Sequence, residues 1–407
     1  MAEYISASPP NGDKELGELC YARILAICSA IIEWAYMNDL FYYKIVDSTV
    51  SFLPSGRIGI NREHEDRLYD ANTAAQITLL AQLSDPSVDC FSPTRSISEI
   101  LPLLDEAFED EFGYSHTSFA KCIFALISLG DTMPGEVKRA PYNEVTREVT
   151  NLAALPEDDI QRILAQITLT PRGDYLTPNK PYRREDVYPW RFNRQLSFAR
   201  RPIMHVSDDL IWGTRQLYHM MLYTFDLIAN GKFQARSDKL KSLIGTLCDK
   251  RGAEFNAVVA QKLQSVDGAV LKTQVKKING LHLADEKGND YGDIDVLFAI
   301  PATRTIVVGE VKDFSLVKNP YEMYQEYKAI FVDDGKKLCY LSKHKRRVAW
   351  VQTHLADTLT YMGLCGDDWV IKDVIIVSSP IVSSSFYDEK QRIIVFSDIN
   401  RDSLNTI

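Results

Sequence analysis

The sequence lacks any pair of cysteines with the spacing of a metal or redox motif. Its seven cysteines are scattered over 407 residues: Cys20, Cys28, Cys90, Cys122, Cys248, Cys339 and Cys365. Disulfide frameworks and thiolate zinc sites need paired, regularly spaced cysteines. Both classes are therefore excluded, and we expect reduced cysteines that serve as packing residues.

Long apolar segments and signal-type starts are also missing. The longest apolar stretch, 24–32, is broken by Glu33 and is much shorter than the roughly 20 residues that span a bilayer. There is no internal repeat or low-complexity tract. With 45% hydrophobic and 25% charged residues, the composition predicts a cytoplasmic globular protein, large enough for two domains and without a membrane partner.

Positive charge is not in excess over the whole chain, whose formal net charge is −9. It is unevenly distributed, however. Residues 236–407 carry 24 Lys and Arg against 23 Asp and Glu, which leaves 22 against 32 in residues 1–235. Residues 236–350 alone carry 20 Lys and Arg against 15 Asp and Glu. Because cationic surfaces attract polyanions, we expect the functional chemistry in 236–350.

Apolar spacing divides the chain into three segments. A helical period predicts a mainly α-helical N-terminal domain over 1–167, with a regulatory, partner-binding or oligomerisation role. The Pro-, Gly- and Arg-rich residues 168–235 predict a connector with short strands, including a hairpin at 196–206, and a helix at 210–230. Residues 236–407 form the second predicted domain.

That second domain has the pattern of an α/β (α+β) fold. A helix is predicted over 251–264, followed by three strands, helices and two final strands at 269–278, 292–300, 305–313, 320–331, 344–362, 370–377 and 392–396. The resulting order is α-β-β-β-α-β.

The short turn between the second and third of these strands fixes their register. If the strands pair directly across the turn, Asp295 lies opposite Glu310, and Asp293 lies opposite Lys312. Side chains alternate along a strand, so all four groups share one face. Three carboxylates and one ammonium are costly to bury on an apolar hairpin unless a cation or a polyanion binds there.

A divalent cation explains the excess of carboxylates. Asp295 and Glu310 can hold a hard cation such as Mg²⁺ or Mn²⁺, together with water and phosphate oxygens. The metal polarises a phosphodiester and activates water, while Lys312 positions that water or neutralises charge. Glu254, at the edge of the apolar face of helix 251–264, adds a carboxylate that suits a metal site. These four residues predict a phosphodiester hydrolase.

The same residues carry a resemblance to a known family. Gly-Asp-Ile-Asp-Val at 292–296, followed by Val-Gly-Glu-Val-Lys at 308–312, resembles the PD-(D/E)XK, or restriction-endonuclease-like, nuclease superfamily. The Arg-Gly-x-x-Phe helix start at 251–255 is most like its restriction-type and NERD-type members. The resemblance covers about residues 248–400 and none of 1–235.

The resemblance implies a restriction-endonuclease-like αβββαβ core and a set of site residues. Asp295 and Glu310 resemble the family's metal-binding acids, Lys312 its catalytic lysine and Glu254 its helix-borne acid. The backbone carbonyl of Val311 belongs to the implied metal ligands. The proline that precedes the acid in the family's motif is absent here, so the motif depends on Asp, Glu and Lys.

Two further positions are weaker candidates. Asp293 stands where related patterns carry Glu or Asp, and whether it binds metal is open. Gln325 lies on the helix after the catalytic strands, where some members of the family have a Gln or Tyr beside the active site, but the Gln-x-x-x-Tyr spacing is missing.

A basic run opens the next predicted helix. Lys343, Lys345, Arg346 and Arg347 are predicted to contact nucleic-acid phosphates. A solvated helix start is the alternative and stays open. The corresponding alternative for the hairpin is an exposed Asp–Lys pair, which contributes only a few tenths of a kcal/mol.

The sequence as a whole predicts a Mg²⁺-dependent endonuclease that acts on DNA in bacterial restriction or antiphage defence. Cutting both strands usually requires two active sites, so a homodimer or larger assembly is expected, and the acidic N-terminal half is expected to bind a protein or ligand partner. The alternatives are a repair or junction-processing nuclease and a non-catalytic nucleic-acid-binding module on a nuclease-like fold.

Overall fold

A computed structural model of the chain describes residues 2–7, 16–46, 50–60, 63–84, 91, 97–191, 193–266, 268–317, 319–335, 337–386 and 392–399. The helices are α1 (Ala2–Ala7), α2 (Glu18–Tyr42), α3 (Glu63–Ser84), α4 (Ile97–Phe112), α5 (His116–Asp131), α6 (Tyr142–Ala153), α7 (Glu157–Ile167), α8 (Thr214–Ala229), α9 (Asp238–Gln264), α10 (Pro320–Phe331), α11 (Tyr340–Thr353) and α12 (Leu355–Met362). The strands are β1 (Val50–Phe52), β2 (Ile58–Ile60), β3 (Val137–Pro141), β4 (Thr168–Leu169), β5 (Ile203–Val206), β6 (Asp209–Gly213), β7 (Val270–Val275), β8 (Lys277–Ile278), β9 (Leu281–His282), β10 (Ile294–Ile300), β11 (Thr305–Lys312), β12 (Val370–Val377) and β13 (Ile393–Val395).

The chain forms two compact units. The first comprises Met1–Met37 and Thr94–Asp249, and the second comprises Asn38–Pro93 and Lys250–Ile407. Each unit contains both helices and a sheet of four or five strands. The predicted mixed α/β class is therefore confirmed.

The first unit contains a four-stranded sheet where the sequence predicted little strand. Its order is β3-β6-β5-β4, with β4 and β5 parallel and the other pairs antiparallel. These strands are only two to five residues long, too short for a period of two to stand out from the helical pattern. A core that includes Leu126, Ile163 and Trp212 joins the sheet to the helices of this unit. Strands β4, β5 and β6, in the segment predicted as a connector, are thus part of the sheet.

The hairpin of this sheet lies seven residues later than predicted. Val206 pairs with Asp209, which leaves a two-residue turn whose first residue, Ser207, has φ +54°. Two-residue hairpin turns need such left-handed conformations and are usually marked by Gly or Asn. Because this turn carries no such marker, the sequence placed the hairpin at 196–206 and began helix α8 too early.

One helix within the described ranges is long and apolar enough, by length and composition alone, to cross a membrane. This helix is α2, and none of its most apolar stretch is buried. The count of residues 24–32 stopped at Glu33 and left out the apolar residues that follow this single charge in the same helix. The predicted absence of a membrane segment rested on that count, and the cytoplasmic location stays a prediction.

The second unit is built around a five-stranded mixed sheet in the order β13-β12-β11-β10-β7. β7, β10 and β11 are antiparallel, whereas β12 and β13 run parallel to β11. Ile300 pairs with Thr305 and Val296 with Gly309, which is the register predicted from the short turn. The predicted helix 344–362 is two helices, since the backbone of His354 leaves the helical conformation (φ −112°, ψ 40°).

Apolar residues cover both faces of this sheet. On one face the core joins α9 to the strands through Phe255, Val259, Leu263, Val296, Val307 and Val311. On the other face it joins α11 and α12 to the strands through Leu297, Ala299, Val308, Val348, Val351 and Met362. Because side chains alternate along a strand, Asp295 and Glu310 belong to the second face, which α11 covers.

Candidate active site

Asp295 and Glu310 lie side by side on neighbouring antiparallel strands. The register of β10 and β11, in which Val296 pairs with Gly309, makes them the next pair along. Their relative exposures are only 8% and 2%. A Cβ atom on Gly309 would lie 2.4 Å from Cγ2 of Val296, so the close strand approach beside the acids depends on glycine.

The ammonium of Lys312 lies within reach of three oxygens. Its Nζ is 2.9 Å from Oε1 of Glu310, 3.3 Å from Oδ2 of Asp295 and 3.1 Å from the backbone carbonyl of Val311. Two carboxylates and one carbonyl therefore converge on a single positive charge. All three belong to the metal ligands that the sequence resemblance implied, a set that also included Glu254.

Further contacts hold both carboxylates. The backbone N–H of Val311 donates to Oδ2 of Asp295 at 2.8 Å. Nη1 of Arg347, on α11, donates to Oε2 of Glu310 at 2.5 Å and to the carbonyl of Asp293 at 2.7 Å. Glu310 is thus held between Lys312 on one oxygen and Arg347 on the other, a geometry that charge-assisted hydrogen bonds strengthen.

Burial and charge act in opposite directions on these groups. Burial raises the pKa of Asp295 above its usual value, and the attraction of Lys312 only partly offsets this. Burial alone would also raise the pKa of Glu310, but Lys312 and Arg347 together lower it. Burial alone would lower the pKa of Lys312, but the two carboxylates raise it. The ion pairs therefore favour the charged forms of Glu310 and Lys312.

A buried histidine completes the surroundings of Glu310. His344 is one turn before Arg347 on α11, is fully buried, and its Nδ1 lies 4.0 Å from Oε2 of Glu310. Burial lowers the pKa of His344 to about 4, so the ring is neutral at pH 7. Neither ring nitrogen has a hydrogen-bond partner among the described residues.

The residues fit a hard divalent cation in kind and number, provided that Lys312 moves aside. Mg²⁺ is commonly held by one or two carboxylates, with water and substrate phosphate oxygens completing its coordination. Asp295, Glu310 and the carbonyl of Val311 supply such a set. Within the described ranges, however, no group of three or more His, Cys, Asp or Glu side chains comes together to hold a metal ion.

Glu254 is not brought to the carboxylates. Among the contacts of the described residues, none joins it to Asp295 or Glu310. Its neighbour Phe255 packs into the core on the face of the sheet opposite to the two acids. The predicted helix-borne metal acid is thus placed on α9 without a contact to the site.

The two weaker candidates also differ from their predicted positions. Asp293 contributes its backbone carbonyl, which accepts from Arg347, and precedes the first residue of β10. Gln325 is exposed on α10, whereas the adjacent Glu326 is buried and accepts from the hydroxyl of Ser383 at 2.7 Å. Gln325 therefore lies on the exposed side of α10, and its predicted place beside the site stays a prediction.

The basic run separates into two groups on α11. Lys345 and Arg346 are exposed and Lys343 is half-buried, so these three are accessible for phosphate contact. Arg347 is only 6% exposed and pairs with Glu310. Helix α11 turns Arg347 towards the sheet, so its contact is with Glu310 and the predicted phosphate contact applies to the other three residues.

Sequence reasoning missed the contacts of Arg251 and the position of Arg347. Arg251, at the start of the Arg-Gly-x-x-Phe segment, pairs with Asp313, which also accepts from the hydroxyl of Ser378. This network anchors the chain directly after Lys312. Arg347 could have been found, because it shares the buried stripe of α11 with Val348 and Val351 at helical spacing.

The fold and site define a mixed α/β protein with a carboxylate–lysine cluster on the inner strands β10 and β11 of one sheet. Residues 5–395 match the model of a family described as "Anti-phage protein Upx-like". The chain therefore belongs to the Upx-like family of anti-phage proteins. Neither the curated proteins nor the solved structures contain a match to it.

Proposed function

We propose that this anti-phage protein is a metal-dependent nuclease that hydrolyses phosphodiester bonds of DNA. The observation that carries the proposal is the convergence of Asp295, Glu310 and the Val311 carbonyl on the ammonium of Lys312. Three oxygens that stabilise the partly buried ammonium of Lys312 can also hold a metal cation. Lys312 then remains available beside the metal cation for a separate task in catalysis.

The fold around this cluster supports a restriction-endonuclease-like core. From α9 the chain runs through antiparallel β7, β10 and β11, then α10, α11 and α12, and returns as β12 parallel to β11. With the short β8–β9 pair set aside and the three helices counted as one element, this matches the α-β-β-β-α-β order of the PD-(D/E)XK resemblance. The acids occupy the adjacent strands at the centre of the sheet, where that resemblance puts the catalytic motif.

Each residue has a distinct task in this proposal. Asp295, Glu310 and the Val311 carbonyl would hold Mg²⁺ or Mn²⁺, which supplies Lewis-acid polarisation of the phosphodiester when bound. The Val311 N–H orients Asp295, and Arg347 orients Glu310. Lys312, on a flexible stem, leaves the carboxylates and places its ammonium beside the reacting phosphate, where it stabilises developing negative charge.

The exposed start of α11 supplies the expected DNA contact. Lys343, Lys345 and Arg346 lie on the helix that also carries Arg347 into the site. Lysine and arginine residues that neutralise phosphates provide sequence-independent affinity. The same helix therefore carries the residues proposed to contact DNA and the arginine that contacts Glu310.

One observation favours a second candidate, a non-catalytic nucleic-acid-binding module. Lys312 and Arg347 already balance the charges of Asp295 and Glu310, so the cluster is electrically complete without a metal. The retained acid–acid–lysine set favours the nuclease. Membership of an anti-phage family favours a defence role over DNA repair.

Cleavage of supercoiled plasmid tests the proposal. The full-length protein is incubated with Mg²⁺, with Mn²⁺ or with EDTA, and nicked and linear products are resolved on agarose. We expect cleavage with either metal, none with EDTA, and none by Glu310→Gln. Glu286→Gln, an exposed acid of the same unit, is the matched control and should cut normally. Metal-independent cutting, or cutting by Glu310→Gln, would overturn the assignment.

A further inference from the structure

The position of Arg347 has a consequence for how a metal enters the site. Its guanidinium bridges Oε2 of Glu310 and the carbonyl of Asp293 and is almost fully buried. A guanidinium held in this way does not move freely out into solvent. Arg347 is a fixed positive charge next to one of the proposed metal ligands.

Lys312 differs from Arg347 in mobility. Its side chain is 25% exposed, against 7% for Arg347, and it lies near the ring of Tyr340 at the start of α11. Its four-carbon stem allows the ammonium to swing away from Asp295 and Glu310. Of the two cations, Lys312 is the one that can leave.

Four charged side chains contact one another in this cluster, and their charges cancel. Asp295 and Glu310 contribute two negative charges, and Lys312 and Arg347 contribute two positive charges. Adding a divalent cation to a balanced, buried cluster leaves an excess of positive charge, which is costly at low dielectric. A phosphodiester anion beside the metal removes part of that excess.

We infer that Arg347 is a positioning residue that makes divalent-cation binding at this site dependent on bound nucleic acid. This inference rests on the proposed nuclease function. The guanidinium orients Glu310 for the metal and, by its fixed charge, keeps metal affinity low until phosphates arrive. By linkage, the metal must then strengthen DNA binding by the same factor that DNA strengthens metal binding.

Calcium binding to the full-length protein tests this dependence. Ca²⁺ is an oxygen-binding cation like Mg²⁺, and isothermal titration measures its affinity with and without a saturating short DNA duplex. A gel of the recovered duplex verifies that it stays intact. For the wild type we expect Ca²⁺ to bind the DNA complex at least about tenfold more tightly than the free protein.

Three variants separate charge from geometry. Arg347→Met removes the charge, so Ca²⁺ affinity of the free protein should rise and the tenfold difference should largely vanish. Arg347→Lys keeps the charge and should keep most of the difference. Arg346→Met, at the exposed neighbour, should weaken DNA binding and leave Ca²⁺ affinity of the free protein unchanged. Circular dichroism verifies that each variant is folded.

Several outcomes would overturn the inference. Equal Ca²⁺ affinity of the wild type with and without DNA would do so even if Arg347→Met failed to fold. So would equal behaviour of Arg347→Lys and Arg347→Met, which would indicate a purely structural role. If the protein cleaves DNA with Mg²⁺ but its Ca²⁺ affinity does not depend on DNA, the inference about Arg347 fails and the nuclease proposal stands. Absence of both cleavage and Ca²⁺ binding would remove the nuclease proposal as well.

Discussion

The ammonium of Lys312 lies 2.9 Å from Oε1 of Glu310, two residues earlier on the same strand. Alternation puts both side chains on one face of β11, where Asp295 of β10 joins them. Strand β11 alone thus contributes one carboxylate of the proposed cation site and the lysine beside it. The neighbouring antiparallel strand supplies the rest.

Replacing Lys312 with Ala should abolish DNA cleavage while most DNA affinity remains, because the basic residues of α11 are intact. It should also leave Asp295 and Glu310 with less compensating charge. Addition of Mg²⁺ should therefore raise the melting temperature of this variant more than that of the wild type. Unchanged cleavage by Lys312→Ala would rule out the role given to the lysine.

Gly309→Ala should destabilise the protein by about 1–3 kcal/mol, because the added methyl group overlaps the side chain of Val296. Urea unfolding measures the difference. Gly252→Ala is the control, since no atom lies within 4 Å of a Cβ there. Within helix α9 this change should stabilise by up to about 1 kcal/mol. Equal effects of the two substitutions would contradict the close strand approach.

The double substitution Lys345→Ala and Arg346→Ala should weaken DNA binding nearly equally for all sequences. It should also reduce the slope of log affinity against log salt by about 2, because each removed cation leaves one phosphate with its counterions. Fluorescence anisotropy over a salt series measures both quantities. Lys287→Ala, on an exposed turn of the same unit, is the control. A salt slope unaffected by the double substitution would exclude α11 from the DNA interface.

His344 should make the protein less stable in acid. Its pKa is lowered from 6.5 to about 4 by burial, so between these values the unfolded chain binds a proton that the folded chain does not. Stability must then fall as the pH drops below 6.5, by an amount approaching about 3 kcal/mol near pH 4.

Thermal melting between pH 7.5 and pH 4.5 measures this dependence. His344→Leu should show a smaller loss of melting temperature towards low pH than the wild type. Substitution of the exposed His282 with Gln should leave the wild-type profile unchanged. A profile for His344→Leu as steep as that of the wild type would mean that other groups cause the acid sensitivity.

The parts of the fold that follow from local rules were predictable. Strands β10 and β11 and their register follow from short apolar runs joined by a short turn between Ile300 and Thr305. That register alone brings Asp295 and Glu310 together. The mixed α/β class is confirmed, and membership of an anti-phage family supports the predicted defence role. The nuclease activity and the metal stay predictions.

The remaining features depend on packing between distant segments. Arg347 reaches Glu310 only because α11 covers one face of the sheet, and the local sequence presents it as one more member of a basic run. Glu254 sits on a helix that packs against the opposite face. In the first unit, a turn at Ser207 without Gly or Asn concealed a hairpin. Long-range packing decided the positions of Arg347 and Glu254, whereas the hairpin was misplaced because its turn has no Gly or Asn.

The most direct test of the proposed metal site is a crystal structure of the protein grown with Mn²⁺ and a short DNA duplex. Anomalous scattering locates Mn²⁺ independently of the protein atoms. We expect one strong anomalous peak bounded by the carboxylates of Asp295 and Glu310 and the carbonyl of Val311, with the ammonium of Lys312 displaced towards a phosphate. Lys312 still seated between the two carboxylates, with no anomalous peak there, would contradict the proposed site.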